Sequence, residues 1–246
     1  MELKPVRTDD QTSVREAGRG VTYESTHDVA ASDSSRRVLR NTYLLLAASL
    51  VPTAIGAVVG TNLDLSFLHA SPIVASFAIL AIFYGWIFAI EKNKTSGLGV
   101  GLLLGFTAFM GLLLGPLLHA VLGFSNGVQL VAMAAGGTAA AFFGLAGVAS
   151  TTKRDFGVMG NFLTVGAIVI MLAVVANIFF QSPVVYLALL GAFIIFSSLL
   201  ILWQINAIVR GGETNYISAT LSLYISLYNL FSSLLQLLGI FGGNRD

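Results

Sequence analysis

An all-α integral membrane protein with seven transmembrane helices, the last helix central in the bundle, is the fold class this sequence predicts. Three observations carry the prediction. Of 246 residues, 56% are apolar and only 10% charged, far below the roughly 25% charged residues of soluble domains. Seven apolar stretches are each about as long as the ~20 helical residues that cross a bilayer's hydrocarbon core. The last stretch also carries a polar stripe, in which Ser218, Ser222, Ser226, Asn229, Ser233 and Gln236 recur at steps of four, four, three, four and three. That spacing places them on one helical face. Amides and hydroxyls facing lipid are costly, so this helix belongs inside, with the others packed around it.

In chain order, residues 1–35 are polar, mixed in charge and poor in large apolar side chains. They read as a disordered cytoplasmic tail, distinct from a seven-helix domain over 36–246. The tail lacks the charged start, short apolar run and small-residue cleavage site of a signal peptide. Arg36, Arg37 and Arg40 end it at a membrane face. Spans follow at about 41–60, 72–90, 97–118, 128–150, 157–180, 184–209 and 216–241. Pro52 lies inside the first span and predicts a kink. Pro72 and Pro183 fit first helical turns, with Ser71 and Ser182 as caps. The third span holds Gly97, Gly101, Gly105, Gly111 and Gly115, and the fourth Ala132, Gly136, Ala140 and Gly144. Such small-residue rows let helices approach closely in lipid.

Lys and Arg set the orientation. With the tail inside, Lys4, Arg7, Arg15, Arg19, Arg36, Arg37, Arg40, Lys92, Lys94, Lys153, Arg154 and Arg210 share its side, leaving only Arg245 on the other. This positive-inside pattern places the amino terminus in the cytoplasm. The basic residues form no patch interleaved with aromatics, so no nucleic-acid partner is expected. Trp86, Trp203, Tyr43 and Tyr186 suit aromatic belts at the membrane interface.

Chemistry is constrained by what the spans lack. Between residues 41 and 209 the charged residues are Asp64, Glu91, Lys92, Lys94, Lys153, Arg154 and Asp155, all in joints or at span ends. Ion pumps and proton relays ordinarily place charge at mid-membrane. Zero cysteines exclude thiolate metal sites and cysteine nucleophiles. Paired buried acids and a His-Glu-x-x-His motif are absent as well, so no enzyme, metal or cofactor is expected. His69 and His119 fall in two joints on the same side; they are a candidate metal or pH-sensing pair, or simply interfacial polar residues. Gly99, Gly101 and Gly105 imitate a dinucleotide loop but sit inside an apolar helix. The stripe itself has two readings. Its groups bond to neighbours such as Asn177, Ser197, Ser198, Gln204 and Asn206, or they line a narrow wet cavity for a solute.

Two motifs resemble a known family. Val38-Leu39-Arg40-Asn41-Thr42-Tyr43 opens the first span, and Gly212-Glu213-Thr214-Asn215-Tyr216-Ile217 leads into Leu223-Tyr224-Ile225-Ser226-Leu227-Tyr228-Asn229-Leu230-Phe231. Together they look like the transmembrane Bax inhibitor motif family, most closely its bacterial YccA-like branch. The resemblance implies a seven-helix protein of the bacterial inner membrane. It also implies a non-enzymatic role, as modulator or binding partner of the membrane protease FtsH in membrane-protein quality control. The alternative it implies is a calcium leak channel. Many members pair an acid on the sixth helix with one on the seventh to sense pH, and the matching positions here are Gln204 and Ser226. Neither side chain titrates, so the resemblance carries the fold further than the pH switch. The expectation for the two is a hydrogen bond across the bundle centre.

Overall fold

The computed structural model describes residues 9–63, 71–152 and 156–244, with side chains from Asp33 onward except that of Pro72. Seven helices make up the described chain: α1 (Asp9–Asn62), α2 (Pro72–Lys92), α3 (Gly97–Leu122), α4 (Gly127–Thr151), α5 (Met159–Phe180), α6 (Pro183–Val209) and α7 (Tyr216–Gly242). All seven are long and apolar enough to cross a membrane, and no strand occurs among the described residues. Large apolar side chains such as Leu44, Val58, Phe88, Phe143, Phe162 and Phe180 are exposed on the outside of the bundle. In water such a surface would aggregate; in a bilayer it faces acyl chains.

Helix α7 stands in the middle. It packs against α1, α2, α3, α4 and α6, missing only α5, and no residue from Tyr216 to Gly239 is exposed. Around it lies a core that includes Ile90, Leu103, Phe106, Ile201, Ile205 and Leu223. Both ends of α7 are pinned by asparagines. At its start, Asn215 Oδ1 accepts from the amides of Ile217 and Ser218, while Nδ2 donates 2.8 Å to the Lys94 carbonyl in the α2–α3 turn. At its end, Asn126 in the α3–α4 turn donates 2.7 Å to the Gly242 carbonyl and accepts from the Asn244 amide. The helix therefore runs the whole length of the bundle.

The closest packing joins α1 to α3. A Cβ on Gly56 would run into the Ala108 backbone, one on Gly111 into the Thr53 carbonyl, and one on Gly115 into Gly60. Two small-xxx-small rows, Gly56/Gly60 and Gly111/Gly115, thus bring backbones into direct contact. The α4 row behaves differently from expectation. Ala132, Gly136, Ala140 and Gly144 are exposed, and Gly136 and Gly144 meet nothing within 4 Å.

Other local expectations divide. Ser182 caps α6 by accepting from the Val185 amide at 3.5 Å, whereas Ser71 makes no side-chain cap. Helix α1 continues through Pro52. It also begins well before the membrane. Where composition predicts disorder over 1–35, the helix extends back to Asp9. No proline lies between Pro5 and Pro52, and extending a helix already nucleated by a span costs far less than starting one. Residues 1–8 of the expected tail, and Asp64, His69, Lys153, Arg154, Asp155 and Arg245, lie outside the described residues.

Candidate functional site along the central helix

The polar stripe begins at the end of the bundle that carries Arg36, Arg37, Arg40, Lys92, Lys94 and Arg210. There Ser218 donates 3.0 Å to Glu91 Oε2, and the same oxygen accepts from Lys94 Nζ at 3.0 Å. The Glu91 carboxylate, through that hydrogen bond and its charge, holds the Lys94 ammonium above its ordinary value. The last turn of α2, the turn into α3 and the first turn of α7 are thereby joined.

Deeper in, Tyr224 is 2% exposed and its hydroxyl meets two other helices. Its one proton is shared between Thr53 Oγ1 on α1, 2.8 Å away, and the Thr107 carbonyl on α3, 3.3 Å away. Thr53 in turn donates 2.8 Å to the Ser49 carbonyl. The Tyr224 ring sits edge-on to Phe106, with centroids 6.2 Å apart. Nothing in the stripe's spacing points to this residue, because it lies off the stripe.

Gln204 and Ser226 are both buried, at 4% and 1% exposure, on the packed pair α6 and α7. They do not form the expected bond. Ser226 donates 2.9 Å to the Ser222 carbonyl of its own helix. Gln204 instead borders a cleft of about 370 Å³ at the basic end, together with Gly157, Trp203, Arg210 and Glu213. Nor do the suggested partners serve the stripe as expected. Asn177 accepts from the Ser182 amide, Ser198 donates to the Ile194 carbonyl, and the Ser197 hydroxyl is buried without a partner. Asn206 spans to Phe156 and Ala149. Trp86 is an interhelical residue rather than a simple belt residue, donating 3.0 Å to the Leu102 carbonyl and stacking on Phe109.

The far end of the stripe opens into a second cleft, of about 280 Å³, between α5, α6 and α7. It exists because α5 is held by α6 and α2 but does not reach α7. Asn229, Ser232, Ser233 and Gln236 line it from the central helix, and Tyr186 donates to Gln236 Oε1 across it. On α6, Ser197 and Ile201 lie between the residues that line the two clefts and are fully buried, and on α7 Leu223 and Ser226, which precede the residues of the second cleft, are no more than 1% exposed. Among the described residues no cluster of three or more His, Cys, Asp or Glu exists that would hold a metal ion.

Comparison with known proteins places this architecture. The family model described as "Inhibitor of apoptosis-promoting Bax1" matches residues 35–243. An Escherichia coli K12 protein named "Modulator of FtsH protease YccA" is 42% identical over 222 residues, covering 90% of this chain and 97% of its own. An uncharacterised protein of Neisseria meningitidis serogroup A is 44% identical over 218 residues, covering 86% of this chain and 96% of its own. One from Pseudomonas aeruginosa is 41% identical over 222 residues, covering 90% and 97%. With the family match running from the start of the first span to the end of the central helix, the chain belongs to the Bax inhibitor family of membrane proteins.

Proposed function

We propose that this chain is a non-enzymatic modulator of a membrane-anchored, ATP-dependent protease of the FtsH type, acting in the quality control of other membrane proteins. The observation that carries this reading is the coverage of the relative named for that role. At 42% identity over 97% of its length, no part of that relative large enough to be a domain lacks a counterpart here. The chemistry agrees with a partner rather than a catalyst, since the polar groups along α7 are amides and hydroxyls with no acid, base or nucleophile–base pair among them. The protein then sits in a bacterial inner membrane with its basic end and amino-terminal segment toward the cytoplasm, the side on which that segment can meet the protease.

The test is reconstitution with FtsH and a membrane substrate. The intact chain changes the rate of substrate digestion, and the chain lacking residues 1–35 does so much less. An intact chain without effect on digestion would overturn the proposal; a truncated chain as effective as the intact one would remove the segment as the handle. A second reading, a leak for cations such as calcium, is favoured by the two clefts at opposite ends of α6, one of which also borders α7.

A further inference from the structure

The cleft between α5, α6 and α7 is polar without being charged. Its polar lining consists of Asn177, Tyr186, Asn229, Ser232, Ser233 and Gln236. Part of that lining is already committed. Asn177 Oδ1 accepts from the Ser182 amide, Ser232 donates to the Asn229 carbonyl, and Gln236 donates 3.0 Å to the Ser232 carbonyl while accepting from Tyr186. The remainder is not. The Asn229 side-chain amide, Asn177 Nδ2 and the Ser233 hydroxyl make no hydrogen bond to any described residue. Ser233 is only 3% exposed, and its hydroxyl is not among the fully enclosed unpaired atoms, so what little of it is open faces the cleft.

The leftover groups define a ligand chemistry. An amide offers two donors and an acceptor, and a hydroxyl one donor and two acceptor sites. No Lys, Arg, Asp, Glu or His lines the cleft. An anion finds no counter-charge there, and a hard divalent cation finds none of the carboxylates it usually needs. The opposite wall, with Leu189 and Phe193, suits C–H surface. About 280 Å³ would hold roughly nine waters at liquid density, or one six-carbon polyol. The cleft runs along the last turns of α5, the first three turns of α6 and the second half of α7, from Asn229 at the midpoint of that helix toward the end away from the basic residues. We propose that it binds the uncharged polyol part of a ligand, a glycerol or sugar group, carried by a membrane lipid or free in solution.

The chain contains no cysteine, so Ser233→Cys introduces a single thiol at the site. In phosphatidylcholine nanodiscs, its modification by a small water-soluble methanethiosulfonate is measured with and without glycerol, glucose and octyl glucoside, then repeated in phosphatidylglycerol nanodiscs. Slowing of several-fold by glycerol or glucose supports the site with a soluble polyol. Slowing only by octyl glucoside or phosphatidylglycerol supports it with a lipid-borne one. In either case Asn229→Leu, added to the same background, removes the protection while the melting curve shows a folded protein. A thiol that reacts at one rate under all conditions, or never reacts, overturns the proposal. If Ser233→Cys does not fold, Ser232→Cys reports on the same cleft with the same outcomes.

Discussion

A tyrosine hydroxyl at the centre of a membrane protein has to find partners in protein, because lipid offers none. Tyr224 finds Thr53 on α1 and the Thr107 carbonyl on α3, so one side chain of α7 fixes two neighbours. Tyr224→Phe keeps the ring against Phe106 and removes only those bonds. The expected loss is about 0.6 kcal/mol, with about 1.7 as the upper end seen for such bonds in lipid. Unfolding in bicelles checks it, and Thr53→Val added on top should cost only its own bond to the Ser49 carbonyl, since the contact it shares with Tyr224 is already gone. The Glu91–Lys94 pair makes a different prediction. Lys94 is held above its ordinary 10.5, so its contribution is fully present below that pH and fades as pH rises past it. Melting curves of Glu91→Gln and the parent should therefore differ by a constant amount around neutrality and converge above about pH 10.5. Neither residue was legible as an organiser. Tyr224 lies off the polar period, and Glu91 stands in the sequence only as a span-end acid beside Lys92 and Lys94. Gln204 and Ser226 show the converse, since both were found as buried positions. Which way each side chain turns depends on a choice between an intrahelical carbonyl and a partner helix, and spacing does not encode that choice.

Among the elements, the spans and their order were written plainly in hydropathy, because a bilayer demands ~20 apolar residues each time the chain crosses. The centrality of α7 followed from its stripe. Packing partners were not legible in the same way. Small-xxx-small spacing states that a helix can be approached closely, not that it is. Gly111 and Gly115 are matched by Gly56 and Gly60, while the equally regular row on α4 lies open on the surface. The two rows should therefore respond oppositely to bulk. Gly115→Leu forces α1 and α3 apart, with a cost on the order of 3 kcal/mol, at the upper end of overpacking changes. Gly136→Leu has open space and replaces a poor helix former with a good one, so stability should stay level or rise slightly. Unfolding midpoints of the two variants in the same lipid decide it, and a comparable loss in both would refute this account of the α1–α3 contact.

At the scale of the whole molecule, the question is whether two clefts entering from opposite ends make a path. The closed section of α6 and α7 presents Ser197, Ile201, Leu223 and Ser226, all at most 1% exposed. A calcium ion crossing it would shed most of its water and find no carboxylate to replace it. The charges of the described bundle lie at its ends, and the groups facing the closed section do not titrate near neutrality. Calcium-dye flux into proteoliposomes carrying the wild-type chain should thus match empty vesicles across a pH series around neutrality. The double variant Gln204→Asp with Ser226→Asp puts one acid at the cleft beside that section and one within it. Leakage from the variant alone would show a fold able to conduct, with a barrier set by this chain's uncharged pair, and would leave protease modulation as the working role. Leakage from the wild type would mean that the closed section opens in a bilayer, and the cation reading would then displace the protease reading.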